Sequence, residues 1–116
     1  MESQEKGSVD VTKYPKSALV TVSGRFDSSN SAKLDETFKQ IAEEGKHSQA
    51  INLTAVDYMS SAGLRAIVSA FRNSQKNNGK VNLVKPSKNM SEVLELAGLD
   101  TLFIVYEKNE DAVGNL

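Results

Sequence analysis

The sequence predicts an α/β domain: a mixed, largely parallel β-sheet that opens with an N-terminal β-hairpin and carries helices packed against it. Three observations lead there. Short runs with period-two alternation open the chain, runs with helical period then alternate with further strand-like segments, and glycine or proline marks most of the joints. The resulting order is β-β-α-β-α-β-α-β, and alternation of strand with helix demands right-handed crossovers between parallel strands. At 116 residues a chain buries roughly two-thirds of the surface it exposes when unfolded, enough for one core without staples.

Each element has its own signal. Residues 1–7 are polar and are expected to form a flexible N-terminus, so that residues 8–116 make up the domain. "SVDVTKY" places Val9 and Val11 on one face of a first strand. "SALVTVSG" places Ala18, Val20 and Val22 on one face of a second and Leu19 on the other. "YPKS" between them supplies the turn, since Pro15 makes a continuous strand improbable. In "SSNSAKLDETFKQIAEEG" the residues Leu34, Phe38 and Ile41 share one helical face, with Asn30 or Ser31 as N-cap and Gly45 as the stop. "SQAINLT" is a strand with Ala50, Ile51 and Leu53 buried. "SAGLRAIVSAFRNSQKNNG" returns to helix with a stripe of Leu64, Ile67, Val68 and Phe71, ended at Asn78-Gly79. "KVNLVKP" puts Val81, Leu83 and Lys85 on one side of the next strand. "SKNMSEVLELAG" is a helix carrying Met90, Val93, Leu94 and Ala97 and stopped at Gly98. "TLFIVYE" is the last strand, and the tail has room for one helical turn.

Composition excludes several functions. With 14 basic and 15 acidic residues the net charge is −1, which lacks the footprint of a nucleic-acid binder. Three tyrosines, four phenylalanines and no tryptophan offer no base-stacking platform. No apolar run approaches the ~20 residues of a membrane span, and "MESQEKGSVD" is polar and acidic where a signal peptide would be basic, then apolar. The chain has no cysteine, which removes disulfides, thiolate metal sites and cysteine nucleophiles. A cytoplasmic location is the expectation. The single histidine, His47, falls in a polar link and reads as a solvated loop residue. No G-x-S-x-G elbow surrounds the serines, and no Walker or G-x-G-x-x-G loop is present, so neither an enzyme nor a cofactor or metal is expected. Asp57 and "VKP" resemble parts of a phospho-aspartate receiver, but the first strands end in "KYPK" and "SGRFD" and supply no carboxylate pair for Mg²⁺.

The stretch "AINLTAVDYMSSAGLRAIV" carries the functional information. In open α/β sheets, functional groups gather at the carboxyl ends of strands where the next helix begins, and Ser60 and Ser61 fall there. One serine suffices to cap the helix, a role worth about 1 kcal/mol. Capping does not account for two in a row.

"VDYMSSAGLRAIV" resembles the signature of the STAS domain family, specifically the bacterial anti-sigma factor antagonists, which usually carry Asp-Ser-Ser/Thr/Ala-Gly-Leu after a strand and an aromatic-Met pair. "VSGRFDSSNSAKL" resembles the family's entry to its first helix, and "KVNLVKPSKNMSEVLELAGLDTLFIVYE" its final strand-helix-strand. The resemblance implies a non-enzymatic partner switch within a single STAS domain over residues 8–116. An unphosphorylated antagonist binds an anti-sigma factor that is also a serine kinase, the kinase phosphorylates the motif serine, and a PP2C-type phosphatase resets the cycle. The family's first motif serine falls on Ser61, which is preferred as acceptor over Ser60; Ala62 stands where many members have Ser or Thr. The family's usual aspartate falls on Ser60, and Asp57, three residues earlier, is no simple substitute.

The resemblance also implies a docking surface of Asp27, Ser28, Ser29, Met59, Ser60, Ser61, Ala62, Gly63, Leu64 and Arg65. Read from the residues alone, Asp27 is equally a turn or capping residue, and Met59 is an adaptable contact at the rim. Gly63 either admits a partner's backbone or lets the first helical turn pack on the sheet. Leu64 reads as core more than as contact, and Arg65 is exposed, facing an acidic kinase surface or solvent. Two alternatives keep the fold: a non-switching scaffold or transport accessory subunit, and a small-ligand or nucleotide binder.

Overall fold

The computed structural model describes residues 6–116. Along the chain run β1 (Ser8–Lys13), β2 (Ser17–Phe26), α1 (Ser31–Glu43), β3 (Ser48–Met59), α2 (Ser61–Lys76), β4 (Val81–Val84), α3 (Lys88–Leu96), β5 (Ile104–Tyr106) and α4 (Asn109–Gly114). The five strands form one sheet in the order β1-β2-β3-β4-β5. The β1–β2 hairpin is antiparallel and every other pairing is parallel, as alternation of strand and helix requires. Of the segment expected to be flexible, residues 1–5 lie outside the described residues. Lys6 bridges Arg25 and Gly7 is buried, with the Phe26 ring where a Cβ would stand.

The two faces of β2 divide the core as its alternation predicts. Ala18, Val20 and Val22 join Leu34, Phe38, Ile41, Ile51, Leu53, Ile67 and Met90 under α1, α2 and α3. Leu19 faces the other way, with Ala50, Val84 and Ala112 beneath α4. Burying a side chain of this size contributes ~1.5–3 kcal/mol, so the first face carries most of the stability. Gly45 and Gly98 adopt φ values of +82° and +73°, the left-handed conformation that ends a helix.

Four local expectations are corrected. In α2 the buried side is Gly63, Ala66, Ile67, Ala70 and Ser74, while Leu64, Val68 and Phe71 are only partly buried on its flanks. Small residues face inward because the helix lies close to the sheet, and Phe71 reaches sideways to Phe103, ring centroids 5.2 Å apart. The last strand shrinks to Ile104–Tyr106, because Leu102 N–H bonds Leu99 O (3.0 Å) in a turn that brings Phe103 into the core. Lys85 stands beyond β4, at φ +31° with an exposed side chain. His47 is half-buried, and its carbonyl accepts the Ser74 hydroxyl, tying the α1–β3 link to the end of α2.

The feature that positions the site is the length of β3. Its pairing with β4 ends at Asn52, yet it continues to Met59 alongside β2. Two register shifts, between Thr21 and Ser23 and between Gly24 and Arg25, let β3 advance further than β2 over the same span. On its other edge, groups from the β4–α3 connection and the first turn of α3 replace the missing ladder. Ser87 N–H donates to Leu53 O (3.1 Å), Ser87 Oγ to Val56 O (2.6 Å) and Asn89 Nδ2 to Asp57 O (2.9 Å).

Candidate functional site

The end of β3 turns into α2 at the serine pair, and the two hydroxyls have different tasks. Ser60 is the N-cap: its backbone is extended (φ −76°, ψ 170°) and its side chain accepts the Gly63 N–H at 3.3 Å. Its main chain is held as well, with Ser60 N–H donating to Phe26 O (2.8 Å) and Leu64 N–H to Ser60 O (2.9 Å). Ser61 is the first helical residue. It is exposed, and its hydroxyl has no hydrogen-bond partner among the described residues. The capping requirement is met by Ser60, which leaves Ser61 free.

Beneath the pair lies a packed platform. Phe26 and Met59, opposite each other across β2 and β3, are both buried. A Cβ on Gly63 would run into Met59 Sδ, with Met59 Cγ at 3.4 Å and Phe26 Cβ at 3.7 Å. Of the two readings of Gly63, the structure therefore shows the close approach of α2's first turn to the sheet. Met59 is only 4% exposed and packs under Gly63, while it also forms part of the floor of the groove that Ser60, Ser61 and Leu64 line. Leu64 is half-buried and packs on the core, whereas Arg65 is exposed.

The β2–α1 loop forms the second wall. Asp27 Oδ1 accepts both the Ser29 N–H (2.9 Å) and the Ser29 hydroxyl (2.6 Å). Asn30, at the N-cap of α1, makes no cap bond with its side chain. It braces the loop instead, accepting from Asp27 N–H (2.8 Å) and donating to Arg25 O (2.9 Å). The Ser29 hydroxyl and N–H, with the Arg25 guanidinium 3.7 Å away, hold the Asp27 carboxyl below its ordinary value of 3.8. Asp27 thus serves as a turn residue while keeping one carboxylate oxygen turned toward Arg25. Ser28, Ala62 and Arg65 line one shallow groove of about 290 Å³, so the loop and the start of α2 share a surface.

Sequence reading missed three contributors to this surface. Arg25 lies over the Tyr58 ring, 4.2 Å from its centroid, and Tyr58 is itself 42% exposed. Their pairing depends on the register shifts, which leave no trace in the local pattern. Leu96 is 90% exposed. With Val93 and Ala97 it closes a groove of about 300 Å³ against Ser60, Ser61 and Leu64. Leu96 had a legible signal, since two residues past Leu94 lie on the opposite side of a helix. Among the described residues no His/Cys/Asp/Glu group is arranged to hold a metal ion, and no helix is long and apolar enough to cross a membrane.

Comparison with known proteins fits this geometry. The anti-sigma-B factor antagonist of Staphylococcus epidermidis is 29% identical over 91 residues, covering 78% of this chain and 84% of its own. The crystal structure of an anti-sigma factor antagonist from Mycobacterium paratuberculosis superposes with a TM-score of 0.82 at 23% identity, over 95% of this chain and 93% of that one. SpoIIAA matches in its unphosphorylated form (TM-score 0.81, 15% identity, 93% and 95% coverage). Its phosphorylated form matches too (TM-score 0.76, 16% identity, 93% and 98% coverage). The STAS domain model matches residues 8–112, from the first strand into the last helix, and the chain belongs to the STAS domain family.

Proposed function

We propose that this protein is a cytoplasmic anti-sigma factor antagonist, a binding protein and not an enzyme, whose docking to an anti-sigma serine kinase is switched by phosphorylation of Ser61. The observation that carries the reading is the division of labour at the junction. Ser60 caps α2, while Ser61 is exposed and lines the groove of Leu64 and Leu96, its neighbour Ala62 lining the groove of Ser28 and Arg65. The name of the Staphylococcus epidermidis relative supports the antagonist role, and SpoIIAA, whose solved forms include a phosphorylated one, supports a phosphorylated state of this fold.

The physics of the switch follows from the position. The kinase transfers the γ-phosphoryl group of ATP to Ser61 Oγ, with ADP and the hydroxyl proton leaving. The product carries about −1.5 to −2 charges at neutral pH. At a helix N-terminus free N–H groups and the helix dipole favour such a charge by ~0.3–2 kcal/mol, so the fold tolerates it. A docked surface does not, because burying an uncompensated charge costs several kcal/mol. A loss of ~3 kcal/mol is already about a hundredfold in affinity. A PP2C-type phosphatase restores the binding form by hydrolysis.

The test is copurification and titration with the cognate kinase. Ser61→Ala is expected to bind it and to resist release by ATP, Ser61→Asp to bind at least tenfold more weakly, and phosphopeptide mapping to place the phosphate on Ser61. Equal kinase affinity of the two variants contradicts the proposal.

A further inference from the structure

The start of α2 sets a cation one turn away from the exposed serine. Ser61 is the first residue of the helix and Arg65 follows four residues later, and both are exposed. Residues i and i+4 are neighbours on a helix, with Cβ atoms about 5–6 Å apart, and an acid placed before a base at that spacing is the favourable order. A helical side chain also leans toward the N-terminus, over the turn that precedes its own Cα. Arg65 does so here, since it lines the same groove as Ala62, the residue after Ser61.

The neighbouring charges leave Arg65 uncommitted. It belongs to no ion pair among the described residues. Asp35, the carboxylate that shares its groove, is taken by Lys39 at 3.1 Å. Asp27, in the β2–α1 loop, is held by Ser29 and faces Arg25 at 3.7 Å. The groove that Ser61 itself lines, with Leu64, Val93 and Leu96, contains no charged side chain. A neutral hydroxyl offers a guanidinium little. A phosphate on the same oxygen carries about −1.5 to −2 charges and presents three acceptors to its planar fork of N–H donors.

We propose that Arg65 is the built-in counter-charge of phosphorylated Ser61. Its guanidinium donates to the phosphate oxygens across one turn of α2 and holds the group against its own helix. Phosphorylation then changes the docking surface twice, adding an anion at Ser61 and withdrawing the cation at Arg65. The inference rests on Ser61 as the acceptor, and its test needs no kinase, so the two can fail separately.

The experiment places phosphoserine at position 61 of the full chain by amber suppression, in the parent and in Arg65→Gln, Arg65→Lys and Arg72→Gln backgrounds. Phosphorus NMR follows the second ionisation of the phosphate, which ordinarily lies near pH ~6. A cation beside the group favours the dianion, so the midpoint should lie about 0.3 pH unit or more lower in the parent than in Arg65→Gln. The helix dipole acts on both chains alike and cancels from this difference. Arg65→Lys should keep most of the shift, because it keeps the charge. Arg72, also exposed, stands about three turns further along the helix, and Arg72→Gln should leave the midpoint where the parent has it. Salt at ~1 M should shrink the difference between parent and Arg65→Gln. In calorimetry, phosphoserine should raise Tm by about 1–2 °C more in the parent than in Arg65→Gln, a coupling that a merely structural role for Arg65 does not produce. Equal midpoints in the parent and Arg65→Gln, or an equal response to Arg72→Gln, would overturn the proposal. If the pair forms but the kinase phosphorylates another residue, the choice of acceptor fails and the ion pair stands.

Discussion

Replacing Ser60 and Ser61 one at a time by alanine separates a cap from a free hydroxyl, and the two outcomes differ by an amount that can be measured. Ser60→Ala removes the bond to Gly63 N–H, which at 3.3 Å is long, and leaves the main-chain bonds to Phe26 and Leu64 intact. Loss of an N-cap costs about 0.5–2 kcal/mol, and the long bond places this one at the lower end, ~0.5–1 kcal/mol. At roughly 2.1 cal/mol/K per residue, the unfolding entropy of a 116-residue chain is about 0.24 kcal/mol/K, so 1 kcal/mol moves the midpoint by about 4 °C. Ser60→Ala should therefore lower Tm by about 2–4 °C. Ser61→Ala changes an exposed side chain with no partner among the described residues and should stay within ~2 °C of the parent.

Ser61→Asp extends the same argument with its own sign. A carboxylate in the first turn is stabilised by ~0.3–1 kcal/mol, so its folded pKa falls below the unfolded value. The gain, about 1–4 °C in Tm, is present above pH ~3.9, is lost as pH falls through that range, and shrinks with added salt. Scanning calorimetry of the three variants at pH 7 and pH 3 is the assay. If Ser61→Ala destabilises the chain as much as Ser60→Ala, the assignment of cap and free hydroxyl is refuted.

Three other expectations follow from the same surface. Gly63→Ala places a methyl group against Met59 in a buried contact, and should cost about 1–3 kcal/mol by overpacking, seen as a lower midpoint in urea with an unchanged slope. Carbon-detected titration of Asp27 should give a midpoint below 3.8 that rises toward it in Ser29→Ala, since the Ser29 bonds are the main cause of the depression. Because that pKa is depressed on folding, its contribution to stability is present above the unfolded value and disappears as pH falls through the folded one, so Ser29→Ala should flatten the dependence of stability on pH below about 4. Leu96→Asp, at a position 90% exposed, should leave Tm unchanged within ~2 °C while weakening kinase binding at least tenfold, read by titration calorimetry.

The elements and their order could be read directly from the chain. Backbone geometry imposes period two on a half-buried strand and a period of 3.6 on a helix, so Ala18, Val20 and Val22 declared one face of β2 and Leu34, Phe38 and Ile41 one face of α1. Gly45 and Gly98 marked stops because a left-handed residue is most easily a glycine. The alternation of strand and helix then made the parallel sheet obligatory. The serine motif was visible for the same reason: it is contiguous.

Tertiary structure decided everything that depends on distance between elements. Periodicity offered Leu64, Val68 and Phe71 as the inner stripe of α2. The nearness of that helix to the sheet selected Ala66, Ala70 and Ser74, because large side chains do not fit under a closely seated helix. The register shifts in the β2–β3 pairing buried Met59 and brought Tyr58 under Arg25, and no local pattern encodes them. Which serine caps α2 was open in the sequence, since both residues have the required oxygen. It was settled by the strand that leads into them, which holds Ser60 in the extended conformation of a cap and leaves Ser61 on the outside of the first turn.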